Sequence, residues 1–342
     1  MFKVLSGGEG FLSVTAITFW ICIKIGSPIT STEQPHVSLE DIAYSQGYHV
    51  RAVVRSTTKG NTLKSAFSSF GDRLEIVIVG NLISDDLSYA LKGVESVIHA
   101  AAPLPGQNNP AEALDVAVKG SLNILRQAYS ADIKKFVYVS SIVTINPLSS
   151  DSDYKDTTWA NVSKEDALSA IWEFADIHLD LDVTVLNPPF FFGPYPPNYS
   201  NPDASRSALN TNGMIYALIR PHGNIPIHPS WIDVRDVAQA AVNALTAPPA
   251  SKVGRKRIPL SGEWFSFKDA AKYVAEVRPE LKNRISEQAK KAPPVSESQI
   301  DNSRAREILR IELTPWKKTV IDAVDDLLEL EKEWKRNFAS LH

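Results

Sequence analysis

The stretch Phe2-Lys3-Val4-Leu5-Ser6-Gly7-Gly8-Glu9-Gly10-Phe11-Leu12-Ser13 decides how the chain is read. A short apolar run enters closely spaced glycines. That pattern predicts a strand, then a turn whose backbone can approach a phosphate. Gly7 makes the tight turn. Gly10 leaves room for a pyrophosphate beside the next helix, where free N–H groups and the helix dipole favour anions. The spacing is G-x-x-G-x-x-S, so Ser13 stands where a third glycine would ease helix–strand packing.

Downstream of the turn, the expected helix is displaced. The 21 residues from Val14 to Gln34 are apolar and β-branched, then polar, without helical periodicity. A helix is predicted only from Pro35 to Gln46, stopped by Gly47. Joining Ser13 to Pro35 restores strand–turn–helix–strand, so 14–34 reads as an insertion. Valine codons begin with GT and a glutamine codon can end in AG, the two ends of an intron. Two origins therefore stand open, a retained intron and a genuine surface insertion, and transcript sequencing across residues 13–35 separates them.

Beyond Gly47, strands and helices alternate. Strands are predicted over Tyr48–Arg55, Arg73–Gly80, Ser96–Ala100, Lys135–Val139 and Leu181–Leu186, with a short one over Arg257–Leu260. Helices are predicted over Pro110–Tyr129, Ser163–Ala175 and Asp233–Leu245, and an amphipathic tail from Pro315 onward. Alternation of this kind argues an α/β fold with a doubly wound parallel sheet and ligands at the strand carboxyl ends. At 342 residues the chain can bury a sizeable core.

Composition narrows the function. Net charge is −3 with no dense Lys/Arg run, so no nucleic-acid partner is expected. Cys22 is the sole cysteine, which excludes an internal disulfide and fits a reducing, cytoplasmic setting. The seven histidines show no metal-ligand spacing, so no metal is expected. Phe11–Ile25 is strongly apolar, but it is short for a membrane span, contains Lys24 and lacks a small-residue cleavage site. No membrane partner is expected.

Taken together, SGGEGFL, GYHVRAVVRS, Asn81-Leu82, VIHAAAP, FVYVSS, AIWEFA, LDVTVLNPPFFFGP and WIDVRDVA resemble the extended short-chain dehydrogenases/reductases with an NAD-dependent epimerase/dehydratase domain. The dihydroflavonol-reductase-like and aldehyde-reductase-like members are the nearest match. The resemblance implies a Rossmann-type NAD(P)-binding domain over 1–188 and a smaller, mainly substrate-binding part over 189–342. Segments around 231–260 would return to the first domain. Gly7, Gly8, Gly10, Phe11 and Leu12 would line the pyrophosphate. Asn81 and Leu82 would lie by the adenine, Ala101 and Ala102 along the middle of the cofactor, and Pro188 near the nicotinamide. Arg55 stands where NAD-specific members carry an acid for the ribose 2′-OH. An arginine there can hold a 2′-phosphate, with Lys59 close enough to help, so NADP is expected over NAD.

The chemistry implied is reduction of a small-molecule carbonyl by hydride. A Tyr protonates the product oxygen, a Lys four residues later lowers its pKa, and a Ser hydrogen-bonds the same oxygen. Ser141 matches the serine. The Tyr-x-x-x-Lys motif is absent. In one reading Ala160 replaces the tyrosine and Lys164 survives; in the other a block holding both is missing near 169–171. Either way the expected activity, on a small apolar aldehyde or ketone, is impaired. The alternative is a non-catalytic NAD(P)-binding sensor or regulator on the same fold. Phe190, Phe191, Phe192 and Trp231 suggest an apolar substrate pocket. A homodimer is possible at the level of the family.

Overall fold

A computed structural model describes residues 20–24, 46–100, 115–144, 158–195, 209, 211–223, 225, 230–293 and 300–339; for 20–24, 143, 158–166 and 337–339 it describes the backbone alone. Its centre is a seven-stranded sheet. In chain order the strands are β1 (Trp20–Lys24), β2 (His49–Val54), β3 (Leu74–Ile78), β4 (Ser96–His99), β5 (Lys135–Val139), β6 (Asp182–Asn187), the short β7 (Phe190–Phe192) and β8 (Trp231–Asp233), and β9 (Lys256–Pro259). The main sheet runs β3-β2-β1-β4-β5-β6-β9, and β7 pairs with β8 in a separate two-stranded ribbon.

The long helices are α1 (Thr57–Ala66), α2 (Ser121–Ser130, entered through a π turn over Val116–Gly120), α3 (Thr158–Asp176), α4 (Asn212–Leu218), α5 (Val234–Asn243), α6 (Phe267–Val277), α7 (Ser303–Leu309) and α8 (Trp316–Ala339). Successive strand residues face opposite sides of the sheet. Val53, Val97, Phe136 and Tyr138 accordingly pack with Ile124 and Leu125 of α2 and Ile171 of α3. Ala52 and Val54 pack the other way, with Leu63 of α1, Phe67 and Phe70. Full burial of each large aliphatic side chain contributes about 1.5–3 kcal/mol, and this layering on both faces is what holds the sheet. It is a Rossmann-type doubly wound α/β fold.

One strand departs from the expected pattern. The sequence places the first strand at Phe2–Leu5, ahead of the glycine turn; residues 2–5 lie outside the described residues. The central slot holds Trp20–Lys24, from within the segment 14–34. It runs antiparallel to both neighbours, with Trp20 opposite Val53 and His99, Lys24 opposite His49, and Ile23 opposite Ser96. The other described pairings of the main sheet, β2 with β3, β4 with β5, β5 with β6 and β6 with β9, are parallel. Of the helix expected over Pro35–Gln46, all but Gln46 lies outside the described residues, and Gln46 is in a turn. Gly47, the residue expected to stop it, has φ +85°.

A second core lies beyond β6, where β7, β8 and helices α4 to α8 meet. Here the sequence reading of the aromatics needs correcting. Phe191, Phe192 and Trp231 are 4%, 0% and 1% exposed, so they fill this core and do not line an open pocket. Trp231 stacks on Phe192 and meets Phe265 edge-on. Its indole N–H donates to the Glu263 carbonyl at 2.8 Å, the partner a buried indole requires. Phe190 alone of the three phenylalanines is half-buried.

An ionic network ties α8 to this core. Asp233 caps α5 by accepting from the Arg235 backbone N–H at 2.8 Å, and its carboxylate also accepts from the Thr319 hydroxyl at 2.6 Å. Arg235 bridges Asp233 and Asp322. Asp236 accepts from the Thr314 backbone N–H at 2.8 Å and from its hydroxyl at 2.7 Å.

Candidate active site at the carboxyl edge

The carboxyl ends of β2, β3, β5 and β6 bring together Arg55, Asn81, Ser141 and Pro188. Arg55 directly follows β2 and is exposed. Ser56 comes next and caps α1, its hydroxyl accepting from the Lys59 backbone N–H at 3.4 Å. Arg55 and Lys59 thus flank the amino end of one helix, where unpaired N–H groups already favour an anion.

After β3, the side-chain oxygen of Asn81 accepts from the Ile83 N–H at 2.9 Å, and the Asn81 N–H donates to the Asp85 carboxylate at 2.8 Å. The turn is therefore self-braced. Leu82 is buried beneath the π turn, where a Cβ on Gly120 would come within 3.3 Å of the Leu82 Cβ. Asn123 of α2 donates to the Leu82 carbonyl at 2.9 Å, which fixes that turn to the helix.

Ser141 leaves β5 in a segment clamped against the end of β6. The Ser140 N–H donates to the Leu186 carbonyl at 2.8 Å, and the Ile142 N–H to the Pro188 carbonyl at 3.0 Å. Asn187, fully buried, donates from Nδ2 to the Ser141 carbonyl at 3.0 Å and to the Thr144 hydroxyl at 2.9 Å. Thr144 in turn donates its hydroxyl to the Ser141 carbonyl at 2.8 Å, and the Arg257 guanidinium holds the Thr144 carbonyl. Two buried polar atoms at this edge, Ser140 Oγ and Asn187 Oδ1, find no partner among the described residues. Such atoms are costly unless something satisfies them.

Asn187, Thr144 and Arg257 were not singled out by sequence reasoning. Asn187 was visible only as the first residue of NPPFFFGP. Its partners lie more than 40 positions away, and no local pattern announces them.

Gly7, Gly8, Gly10, Phe11, Leu12, Ala101 and Ala102 lie outside the described residues. Ala160 and Lys164 fall on α3, of which the backbone alone is described there. Tyr138 does not supply the missing phenol. It is 2% exposed, and burial pushes its pKa up to about 12, with the Ser121 hydroxyl acting the other way. Its surroundings are the His99 and Phe136 side of the core, where His99 Nε2 lies 2.9 Å from Ser121 Oγ. Among the described residues there is no group of three metal-ligating side chains and no helix long and apolar enough to cross a membrane.

Residues 39–257 match the NAD dependent epimerase/dehydratase family. The chain belongs to that family. The match begins after the segment 14–34 and covers β2 through the first residues of β9. Among relatives, the ketoreductase azaE of Aspergillus niger is 30% identical over 318 aligned positions, covering 83% of this chain and 91% of its own. Cinnamoyl-CoA reductase 1 of Arabidopsis thaliana is 26% identical, covering 84% of each chain. The crystal structure of yeast methylglyoxal/isovaleraldehyde reductase Gre2 complexed with NADPH superposes with a TM-score of 0.71 at 23% identity, covering 86% of this chain and 95% of that one. These family members are reductases by name, and the last shares the fold.

Proposed function

We propose that this chain is built on the scaffold of an NADPH-dependent carbonyl reductase for small apolar aldehydes or ketones, and that it has little or no turnover because its proton donor is missing. One observation carries the reading. Ser141 is clamped at the carboxyl edge by Asn187, while no tyrosine stands four residues before Lys164.

Two parts of that edge support NADPH. Arg55 and Lys59 at the head of α1 suit a ribose 2′-phosphate, with Asn81 and Leu82 beside the adenine. Ser141 and Pro188, with the unpartnered Ser140 Oγ and Asn187 Oδ1, suit the reacting end. Ala101 and Ala102 would border the middle. Gly7, Gly8, Gly10, Phe11 and Leu12, which would line the pyrophosphate, lie outside the described residues.

Within this scaffold Ser141 hydrogen-bonds the carbonyl oxygen and Lys164 would lower the pKa of a tyrosine. With Ala160 in the tyrosine's place, no side chain delivers the proton. Loss of a general acid costs about 10²–10⁴ in rate. The test is NADPH consumption with a panel of small aldehydes and ketones. The expected result is a rate at background; ordinary turnover of several substrates refutes the impairment.

A further inference from the structure

The outermost strand of the main sheet ends in a turn whose hydrogen bonds leave one polar group facing outward. In a doubly wound dinucleotide fold the adenosine ribose is read at the carboxyl end of the second strand, so the base continues outward to the end of the next one. Here that is β3, the first strand in the order β3-β2-β1-β4-β5-β6-β9 and the neighbour of the strand end that carries Arg55. Ile78, the last residue of β3, pairs with Val54 and is 47% exposed, which offers apolar surface to a flat ring.

Asn81 is exposed at this strand end. Its backbone carbonyl accepts from the Asp85 N–H at 3.0 Å, its backbone N–H donates to the Asp85 carboxylate, and its side-chain oxygen accepts from the Ile83 N–H. A backbone N–H can only donate, so the amide atom facing Ile83 is the oxygen and the orientation of the amide is fixed. Turning it over would set the amide nitrogen against the Ile83 N–H and leave that donor unpaired. The turn is also held in place from α2. Gln127 donates from Nε2 to the Asp85 carbonyl at 3.0 Å and accepts from the Leu87 N–H at 2.8 Å, while Asn123 holds the Leu82 carbonyl. What Asn81 presents outward is therefore Nδ2, which has no partner among the described residues. The acids of the turn are engaged within it: Asp85 accepts from Asn81, and Asp86 accepts from the Ser88 N–H at 2.9 Å and hydroxyl at 2.8 Å.

We propose that Asn81 sets base selectivity by presenting a hydrogen-bond donor, so that the site reads an acceptor of the purine and not the exocyclic amine of adenine. This rests on the reading of the carboxyl edge as an NADPH site. On its N7 side adenine offers one acceptor, N7, and one donor, the 6-amino group; a 6-oxopurine offers two acceptors, N7 and O6. A donor at position 81 is satisfied by N7 of either base and by O6 of the second. A carboxylate there would accept from the amine but face only lone pairs on the 6-oxopurine. The chain thus takes a dinucleotide whose base is hypoxanthine about as readily as NADPH.

Titration calorimetry of the full chain with NADPH and with reduced nicotinamide hypoxanthine dinucleotide phosphate tests this. The two Kd values are expected to agree within about threefold. Asn81→Ala removes the donor and is expected to weaken both nucleotides alike, by about fivefold to tenfold. Asn81→Asp keeps an oxygen for the Ile83 N–H, and is expected to bind the hypoxanthine dinucleotide about tenfold more weakly than NADPH.

A preference of about tenfold or more for adenine in the unaltered chain overturns the proposal and leaves the NADPH reading standing. So does unchanged affinity for both nucleotides in Asn81→Ala, or the same ratio of affinities in Asn81→Asp as in the unaltered chain. A folded chain that binds neither nucleotide overturns the NADPH reading and the proposal with it. The unaltered chain and Asn81→Ala decide the matter even where Asn81→Asp does not fold.

Discussion

The side-chain amide of Asn187 donates to the carbonyl oxygen of Ser141 at 3.0 Å, joining the end of β6 to the exit of β5. The same nitrogen reaches the Thr144 hydroxyl at 2.9 Å, so one buried group fixes a whole turn. Asn187→Ala leaves the Thr144 hydroxyl without this donor and opens a small void. The expected loss is about 1–3 kcal/mol, read by urea unfolding. Asn187→Asp is expected to cost more at pH 7, because it buries a carboxylate against a carbonyl oxygen. An unchanged midpoint for both variants would show that the clamp contributes nothing.

Gly193 follows β7 with φ +137°, a backbone conformation that side chains rarely adopt. An added Cβ would also lie 3.0 Å from Val234 Cγ1 and 3.3 Å from an Asp233 carboxylate oxygen. Asn212 holds the residue from both sides, donating to its carbonyl at 2.7 Å and accepting from its N–H at 3.3 Å. The backbone therefore cannot relax away. Gly193→Ala is expected to destabilise by about 1–3 kcal/mol, measured by chemical denaturation.

Burial, with the Asp233 charge beside it, raises the Asp236 carboxyl from its ordinary 3.8 to about 6, against the opposing hydrogen bonds from Thr314. Between roughly pH 4 and 6 the folded protein holds a proton that the unfolded chain has released. The stability due to this group is fully present below pH 4 and is lost as the pH rises through about 6. Asp236→Asn is expected to flatten that slope without unfolding the protein. Unfolding midpoints across pH 4–7 for both chains check it; parallel curves would discard the assignment.

Arg55 is expected to set cofactor choice. In the chain lacking Val14–Gln34, Arg55→Ala should weaken NADPH binding about tenfold to a hundredfold, the worth of one or two charge-assisted hydrogen bonds. NADH binding should be unaffected. Equal loss for both nucleotides would mean that Arg55 supports the fold and not the 2′-phosphate.

Ala160→Tyr tests the missing acid directly. Made in the same shortened chain, it is expected to raise carbonyl-dependent NADPH oxidation by about 10²-fold or more. No gain, despite intact NADPH binding, would favour the reading in which a block near 169–171 is absent, since the helix would then present position 160 at the wrong place.

Much of the sheet was legible because its strands are short β-branched runs separated by helices. HVRAVV, LEIVI, SVIH and KFVYV all pair as their patterns imply. The first strand was not. Phe2-Lys3-Val4-Leu5, three apolar residues and a lysine before a glycine string, reads locally as a strand, and so does Trp20–Lys24. Only pairing with β2 and β4 decides between them, and pairing is not a local property. The site was legible in part for a similar reason. Arg55 and Ser141 are fixed by position at strand ends. Asn187 acts through partners on β5's exit, and Phe192 and Trp231 are read as pocket-lining until the ribbon they share is seen to be core.

The reversed β1 also says something about what gives a strand its direction. A central strand with layers on both faces needs apolar residues throughout, and WICIK supplies them in nearly every position. Such a pattern has no arrow: read backward, it offers the same apolar residues. Polarity in this sheet is therefore imposed by the linkers that deliver each strand, not by the strand's own residues. A linker that delivers the chain to the other end of the sheet is thus enough to reverse a central strand while its two neighbours keep their own parallel partners.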